Sequence, residues 1–555
     1  MCRSCIVLAL VLVAASAFGD GAKILQTVKD ARANEAAKDW KAAESDWREA
    51  TKENPTNGDY WLGLARSAER ADDPDAAISA YEKVVDLGTG FPSEYTFKVA
   101  CLYGQKGDKA MALDFFQRAM KMGYRDVDSA SKNPDLKLIA DIPEFRKLLA
   151  LDASKAGRDE GWRADIRFLF QEIKAKGWSP FRKVPESKFD ANVAKLVEDV
   201  PKLDDVKIEL GMMKILADVG DGHTSMWGAR RPEFGFALPV KFYWFEEGLY
   251  IVAAEPAFKE LLGAKVERFG SKTPAEMAKA MEPYLSRDND EWLKEIVPFR
   301  LRSTVFLNAL GLIPDAHSAT LALRKPDGST AKVDLPADLT APDIWNMLPY
   351  PDGWVGLADS LPGPAPLYLK NLGASYWFEY LPDSKTLYFQ YNHVRSEESE
   401  PIERFGARMM DAVHAEHPDR LVIDLRWNNG GDTLVNDRLL KILLREPRLS
   451  EPGFLYVIVG RRTFSAAMNA ASYFKRFFDP VFAGEPTGGK PNAAGDEVPF
   501  TLPYSGIVVN VSDVYWEGYW PEDHSVWIAP AIYAPPTFVS FGAKRDPALD
   551  AILGH

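Results

Sequence analysis

The feature that most constrains the fold is a succession of apolar strands in the last third of the chain, each ending in a polar or glycine-rich loop. Two continuous apolar runs, "DRLVIDLR" and "GFLYVIVG", are typical of strands buried on both faces of a parallel sheet. The segment "SAAMNAASYFKRFF" is predicted to be a helix, and "PVFAGEP" contains another short strand. Alternating strands and helices predict an α/β domain, in which ligands bind beyond the carboxyl ends of the strands.

Three loops follow these strands: "RWNNGGD" (426–432), "GRRTFSAA" (460–467) and "GEPTGGKPNAAGD" (484–496). Ser465 stands at a strand-to-helix turn, where unpaired backbone N–H groups and the helix dipole stabilise negative charge. The plainest interpretation is an N-cap serine, although Thr463 is a rival cap. The alternative is a nucleophile, because the adjacent glycines Gly430 and Gly431 would let backbone amides approach a substrate oxygen.

A repeat of about 34 residues occupies the first quarter of the chain. Three segments align: "DWKAAESDWREA" (39–50), "DPDAAISAYEKV" (73–84) and "DKAMALDFFQRA" (108–119). Small residues let paired helices approach each other, and an aromatic residue four positions later fills the groove between them. The pattern resembles tetratricopeptide repeats and predicts a helical stack over 22–150. Such a stack implies a surface for a protein partner, or else a spacer or dimer contact.

The first residues and the overall charge restrict location and partners. Residues 1–17 have a basic start, a short apolar run and an Ala-Ser-Ala end, which predicts a secretory signal peptide and an exported, periplasmic or secreted protein. A buried N-terminal helix is the alternative, and no segment has the length of a membrane span. The net charge of −13 argues against a nucleic-acid partner. Beyond the leader, Cys101 is the one cysteine, so no internal disulfide or cysteine metal site is expected.

The sequence between the repeats and the α/β domain changes character twice. Helical periodicity is followed by strand pairs around a Glu-Glu-Gly turn and across Asp327-Gly328, and then by a stretch rich in proline and glycine. The predicted regions are a helical part over 155–228, a β-rich domain over 230–335, a linker over 336–383 and the α/β core over 384–550.

Four ordered motifs together resemble a known family. "LADVGDGHTSMW" (216–227), "DLRWNNGGD", "TFSAA" and "GEPTGGK" are similar to sequences of the tail-specific or C-terminal processing peptidases and their tricorn-core relatives. The resemblance implies a crotonase-like β/α spiral core, a PDZ-like domain in the β-rich region, and hydrolysis of peptide or protein substrates without metal or cofactor. It assigns the nucleophile to Ser465 and the oxyanion hole to the N–H groups of Gly430 or Gly431 and of Ala466.

The resemblance leaves the general base open between two residues. Lys490 lies 25 residues after Ser465, the spacing of the serine–lysine dyad in the processing peptidases, but Ala494 replaces the glutamine that follows such a lysine. His223 occupies the place of the catalytic histidine in the tricorn-like branch. A free lysine has a pKa near ~10.4 and a histidine near ~6.5, so histidine needs less adjustment to act at neutral pH. The candidates for an acid that would orient His223 are Glu517, Glu522 and Asp523.

Three other functions compete with the serine peptidase. A catalytically decayed relative would use its repeats and cleft only to bind peptides or proteins, although the retained serine, lysine, histidine and glycine pair argue against decay. A crotonase-like acyl-CoA enzyme is disfavoured by the signal peptide, because its substrate is intracellular. An α/β-hydrolase esterase is disfavoured because no Gly-x-Ser-x-Gly elbow surrounds Ser465.

Overall fold

The computed structural model describes residues 21–124, 127–149, 156–226, 235–338 and 351–554. The predicted signal peptide over 1–17 lies outside these residues. The chain divides into two compact units, Met1–Ala156 and Gly157–His555. In the described part, no helix combines the length and the apolar character needed to cross a membrane.

In its described residues, 21–124, 127–149 and 156, the first unit has helices as its only secondary structure. Its helices are α1 (21–36), α2 (Trp40–Glu53), α3 (Gly58–Arg70), α4 (Pro74–Asp86), α5 (Pro92–Gln105), α6 (Lys109–Lys121), α7 (Val127–Lys132) and α8 (Pro143–Leu148), with a 3₁₀ helix over Pro134–Ile139. The 34-residue period of the sequence is also found in the hydrogen bonds between these helices. The Trp47 indole N–H donates to Glu35 at 3.0 Å, and 34 residues later the Tyr81 hydroxyl donates to Glu69 at 2.6 Å. Each buried aromatic donor thus meets a carboxylate of the preceding helix.

The second unit opens with helices that share an apolar core with an antiparallel sheet. The helices are α9 (Arg158–Lys176), α10 (Glu186–Asp199) and α11 (Asp205–Ala217). The sheet has the strand order β2-β3-β4-β5-β6, from β2 (Val240–Phe245), β3 (Gly248–Ala254), β4 (Lys265–Phe269), β5 (Ser318–Arg324) and β6 (Thr330–Pro336). Helices α12 (Pro274–Met281), α13 (Asp290–Arg300) and α14 (Thr304–Ala309) lie between β4 and β5 in sequence. The helices and the sheet share one apolar core, and the two predicted strand pairs are present.

A six-stranded sheet forms the α/β part. It is built from β8 (Tyr376–Leu381), β9 (Thr386–Tyr391), β10 (Arg420–Asp424), β11 (Leu455–Val459), β12 (Val481–Gly484) and β15 (Ile532–Tyr533), in the order β15-β12-β11-β10-β9-β8. All neighbours are parallel except β8 and β9. The helices of this part are α16 (Ile402–Glu416), α17 (Leu434–Leu443), α18 (Ala466–Phe478), α19 (Phe538–Gly542) and α20 (Pro547–Leu553). Side chains of β10 enter apolar cores on both faces, as the continuous apolar run predicts.

Two features differ from the sequence-based expectation. The predicted linker over 336–383 includes strand β8 as well as the short elements β7 (Val355–Gly356) and α15 (Leu357–Ser360), because β8 pairs with β9 through a tight turn at 382–385. The third loop ends earlier than expected, since β13 (Asn492–Thr501) forms a long hairpin with β14 (Val508–Glu517). The two-residue strand β1 (Ser225–Met226) adds to β14 and makes a third, three-stranded sheet.

Candidate active site

Ser465 occupies a strained turn between β11 and α18. Its φ of 54° and ψ of −131° lie in a region that side chains rarely adopt, and its hydroxyl makes no capping hydrogen bond to the helix. Thr463 does not replace it as a cap, because its hydroxyl donates to the Leu425 carbonyl at 3.0 Å and accepts from the Gly460 N–H. The capping interpretation of Ser465 therefore does not hold, and its partly exposed hydroxyl is left at the helix N-terminus.

The strain at Ser465 can be measured. We expect Ser465→Gly to have a free energy of unfolding about 1 kcal/mol above that of Ser465→Ala, because glycine relieves a strain of about 1–3 kcal/mol and loses part of the gain as backbone entropy. Alanine keeps the Cβ atom and hence the strain. Urea unfolding of the two variants provides the comparison, and equal stabilities would show that the turn stores no strain.

The glycine loop after β10 meets Ser465 directly. A Cβ atom on Gly430 would lie 2.7 Å from Cβ and 3.0 Å from Oγ of Ser465, and the φ of Gly430 is +112°. The N–H of Gly430 is already used, since it donates to Oδ1 of Asn428 at 2.9 Å. Within the described residues, the N–H groups of Gly431 and Ala466 have no hydrogen-bond acceptor. Of the two glycines predicted for an oxyanion hole, Gly431 rather than Gly430 keeps a donor for it.

Two buried arginines fasten the loop that carries Ser465, residues 460–465 and here called the serine loop, to its surroundings. Arg461 pairs with Glu485 and donates to the Trp244 carbonyl at 2.7 Å. Arg462 pairs with Glu295 of α13 at 2.7 Å. Removing one partner of such a buried pair leaves an uncompensated charge, which destabilises a fold by about 3–5 kcal/mol. These residues therefore support the position of Ser465 rather than its chemistry.

His223 lies at the same site as Ser465, although it precedes Ser465 by 242 residues in the sequence. The buried carboxylate of Asp221 accepts from the N–H groups of His223 at 3.1 Å and Thr224 at 2.6 Å, and from the Ser512 hydroxyl at 2.8 Å. Arg182 donates to its second oxygen at 3.0 Å. Asp221 thus ties the loop that carries His223, residues 218–224 and here called the histidine loop, to strand β14. The same strand pairs with β1, which directly follows this loop.

Lys490 is held near the site by a side chain that the sequence did not single out. The buried amide of Asn289 donates to the carbonyls of Thr487 at 3.0 Å and Val526 at 2.7 Å, while its Oδ1 caps the start of α13. The N–H of Gly489 donates to the Thr463 carbonyl at 3.1 Å. The loop that carries Lys490, residues 485–491 and here called the lysine loop, is therefore anchored to α13 and to the serine loop. Among the described residues, Lys490 has no ion-pair partner within 4.0 Å.

The three predicted side chains line one small cavity of about 20 Å³, which is about the room of one water molecule. Its lining residues are His223, Asp288, Gly431, Thr433, Ser465, Ala466, Met468, Asn469, Lys490, Ala493, Ala494, Gly495, Asp496 and Trp516. The structure thus brings together Ser465, Lys490, His223, Gly431 and Ala466. Neither ring nitrogen of the buried His223 has a hydrogen-bond partner within the described part of the chain.

Two acids missed by the sequence face this cavity. Asp288 accepts from the Gly222 N–H at 2.9 Å, and burial together with nearby Asp221 raises its pKa, although His223 and Lys490 act in the opposite direction. Burial and Asp513 likewise raise the pKa of Asp496.

The acids proposed from the sequence lie elsewhere. Glu517 and Glu522 are exposed, and Asp523 accepts from the Ser525 N–H at 2.8 Å. None of the three lines the cavity. Asp288 stands one residue before the Asn cap of α13, and that cap is the one local signal that could have drawn attention to it.

The raised pKa of Asp288 predicts a pH-dependent effect on stability. Because its folded-state pKa lies above the ordinary value of 3.8, the ionised carboxylate is less favourable in the folded state than in the unfolded state. Asp288→Asn should therefore raise the free energy of unfolding at neutral pH. The difference should shrink as the pH falls through the folded-state pKa and vanish below the unfolded value. Urea unfolding from neutral to acid pH provides the measurement.

Asp411 is exposed, and Asp411→Asn is the matched control. Its free energy of unfolding should equal that of the wild type throughout the measured pH range. If Asp288→Asn destabilised the protein at neutral pH, the carboxylate would instead be stabilised by its neighbours, contrary to this account.

Comparison with known proteins gives structural neighbours only. No protein-family model matches the chain, and no curated protein matches it. Mature CPAF in complex with lactacystin is similar with a TM-score of 0.50 at 13% identity, over 71% of this chain and 97% of that chain. The photosystem II D1 C-terminal processing protease has a TM-score of 0.34 at 13% identity, over 70% of this chain and 98% of that chain. For tricorn protease the TM-score is 0.32 at 12% identity, over 71% of this chain and 36% of that chain.

Two of these neighbours are named as proteases, one of them as a C-terminal processing protease, which is the class of protein that the sequence motifs resemble. The match to mature CPAF extends over nearly all of that chain, so it concerns the whole fold and not a single motif. The resemblance found in the sequence is thus confirmed at the level of the fold, and the chain shares that fold with mature CPAF.

Proposed function

We propose that this protein is an exported serine peptidase and that Ser465 is its nucleophile. The observation that carries the proposal is the convergence of Ser465, His223 and the Gly430–Gly431 loop on one cavity from three distant parts of the sequence. A serine in a strained turn, with no capping bond and with unpaired amides beside it, is arranged for attack on a carbonyl group. The protease fold of the neighbours supports this assignment.

The reaction follows from the positions of these groups. Oγ of Ser465 attacks the carbonyl carbon of a peptide bond, and its proton passes to the base. The carbonyl oxygen becomes an oxyanion, held by the N–H groups of Gly431 and Ala466 at the positive end of α18. The base then gives its proton to the departing amine, which leaves an acyl-enzyme. Water hydrolyses the ester in a second attack of the same kind and restores the serine.

His223 is the better candidate for the base. Its ring nitrogens have no partner among the described residues, so one of them is available to take a proton. Lys490 shares the cavity with Asp288 and Asp496, so its amine lies beside two carboxyl groups whose charge it can offset. We therefore assign Lys490 to charge balance around the site and to assistance of His223.

The remaining parts of the chain have proposed roles that follow from the sequence patterns and from the resemblance. The first unit is assigned as tetratricopeptide-like repeats that bind a protein partner or substrate, and the β2–β6 sheet as a PDZ-like domain. The six-stranded sheet is assigned as a crotonase-like core. Residues 1–17 are assigned as a signal peptide, which places the enzyme in the periplasm or outside the cell.

Digestion of casein and of a mixture of short peptides by the chain without residues 1–17 tests the proposal. We expect fragments whose formation stops after treatment with a phosphonofluoridate, a reagent that phosphonylates the oxygen of activated serines with loss of fluoride. Fragments that form equally well after treatment would exclude a serine peptidase. Tight binding of peptides without any cleavage would favour the decayed relative that only binds them.

A further inference from the structure

The His223 ring is held by an aromatic stack and not by a hydrogen bond. Its ring lies on Phe464 with a centroid distance of 4.5 Å and an interplanar angle of 25°. The other face of Phe464 lies on Trp292 of α13, at 4.1 Å and 12°. All three side chains are buried. Since Phe464 directly precedes Ser465, the ring that supports the imidazole moves with the nucleophile.

Glycines enclose the stack at both ends. A Cβ atom on Gly488 would lie 3.0 Å from the Trp292 ring, and one on Gly495 would lie 3.7 Å from Cε1 of His223. A Cβ atom on Gly222 would lie 2.6 Å from the Phe464 ring. Gly222 therefore allows the backbone of its loop to approach the middle ring of the stack, whereas a Cβ atom on Gly488 would first meet the Arg461 carbonyl and one on Gly495 would make ordinary contact with His223.

We propose that Phe464 and Trp292 are positioning residues that orient the His223 imidazole toward Ser465. Stacking fixes the plane of the imidazole and leaves both nitrogens free of a fixed partner, so one nitrogen can exchange a proton with Oγ of Ser465 and then with the leaving amine. A carboxylate on the ring would restrain one nitrogen, whereas a stack restrains neither. This inference rests on the proposed peptidase function, because it assigns a role in the same site.

The stack itself is tested by NMR without reference to activity. In protein labelled with ¹³C-histidine, the Cε1–H signal of His223 is identified as the one that disappears in His223→Ala. The ring current of Phe464 should shift this signal in the wild type and in Phe464→Tyr, and the shift should be lost in Phe464→Leu. An unchanged signal in Phe464→Leu would overturn the stacking.

Kinetics test whether the stack positions the base. Phe464→Leu should lower kcat by about 10²-fold with little change in KM, because a displacement of about 1 Å has an effect of that size. Phe464→Tyr should keep most of kcat, since it keeps the ring. Trp292→Leu is the second variant if Phe464→Leu fails to fold, and it should also lower kcat while Trp292→Phe does not. Equal kcat in the leucine and aromatic variants would overturn the proposal.

Added imidazole separates positioning from folding. In His223→Ala, imidazole should restore hydrolysis with saturation, because it can stack on Phe464 in the vacated space. In His223→Ala/Phe464→Leu the restoration should be lost, and restoration of equal size would contradict the proposal. If the wild type shows the NMR shift but hydrolyses no peptide, the peptidase function fails and the positioning role falls with it. If it hydrolyses peptides without the shift, only the stack is refuted.

Discussion

Replacing Ser465 with alanine is expected to lower kcat for peptide hydrolysis by about 10⁴- to 10⁶-fold, with KM changed by less than about threefold. The hydroxyl is the attacking group, whereas the amides of Gly431 and Ala466 and the substrate-binding surface remain in the variant. Initial rates with a fluorogenic peptide measure the effect. The exposed Ser450→Ala is the control and should have the rate of the wild type.

A residual rate in Ser465→Ala within about tenfold of the wild type would assign the attack to another group. The backbone strain at residue 465 would then need another explanation, since strain of this kind persists where the surrounding structure demands it.

The second large effect should separate the two possible bases. His223→Ala is expected to lower kcat by about 10²- to 10⁴-fold, which is the usual contribution of general acid–base catalysis. Lys490→Met, which keeps a long side chain without charge, should lower kcat by less than about tenfold because the lysine balances charge and assists His223 but does not take the proton from Ser465. Initial rates at neutral pH compare the two, with the exposed His524→Ala as a control for the loss of an imidazole.

A larger loss of kcat in Lys490→Met than in His223→Ala would identify Lys490 as the base. Equal losses in both variants would indicate that the two act as one unit, and the double variant would then lose no more than either single variant.

Local sequence was sufficient to place Ser465 but not to explain its surroundings. The run "GFLYVIVG" and the alanines after Ser465 predict β11, a turn and α18, and all three are present. The two adjacent glycines predict a close approach of backbone, and Gly430 does lie against Ser465. These features depend on residues near each other in sequence, where periodicity and glycine chemistry are informative.

The features that decide the chemistry depend on contacts between distant segments. The sequence did not predict the β13–β14 hairpin, and without it the pairing of Ser225 with Asn510 that brings the histidine loop to the site could not be inferred. Asp288 lies just before the N-cap of α13 and Trp292 in its first turn, and both are far in sequence from every motif. A single aromatic residue such as Phe464 in an apolar stretch is normally part of the core, so its stacking on His223 has no local signature.

Mapping the site of phosphonofluoridate labelling by mass spectrometry shows whether the convergence of three loops activates one serine. We expect modification of Ser465 in the folded protein, much slower modification in His223→Ala, and none after unfolding in urea. Modification of a different serine, or labelling of Ser465 at the same rate in the folded protein, the His223→Ala variant and the unfolded chain, would contradict this activation.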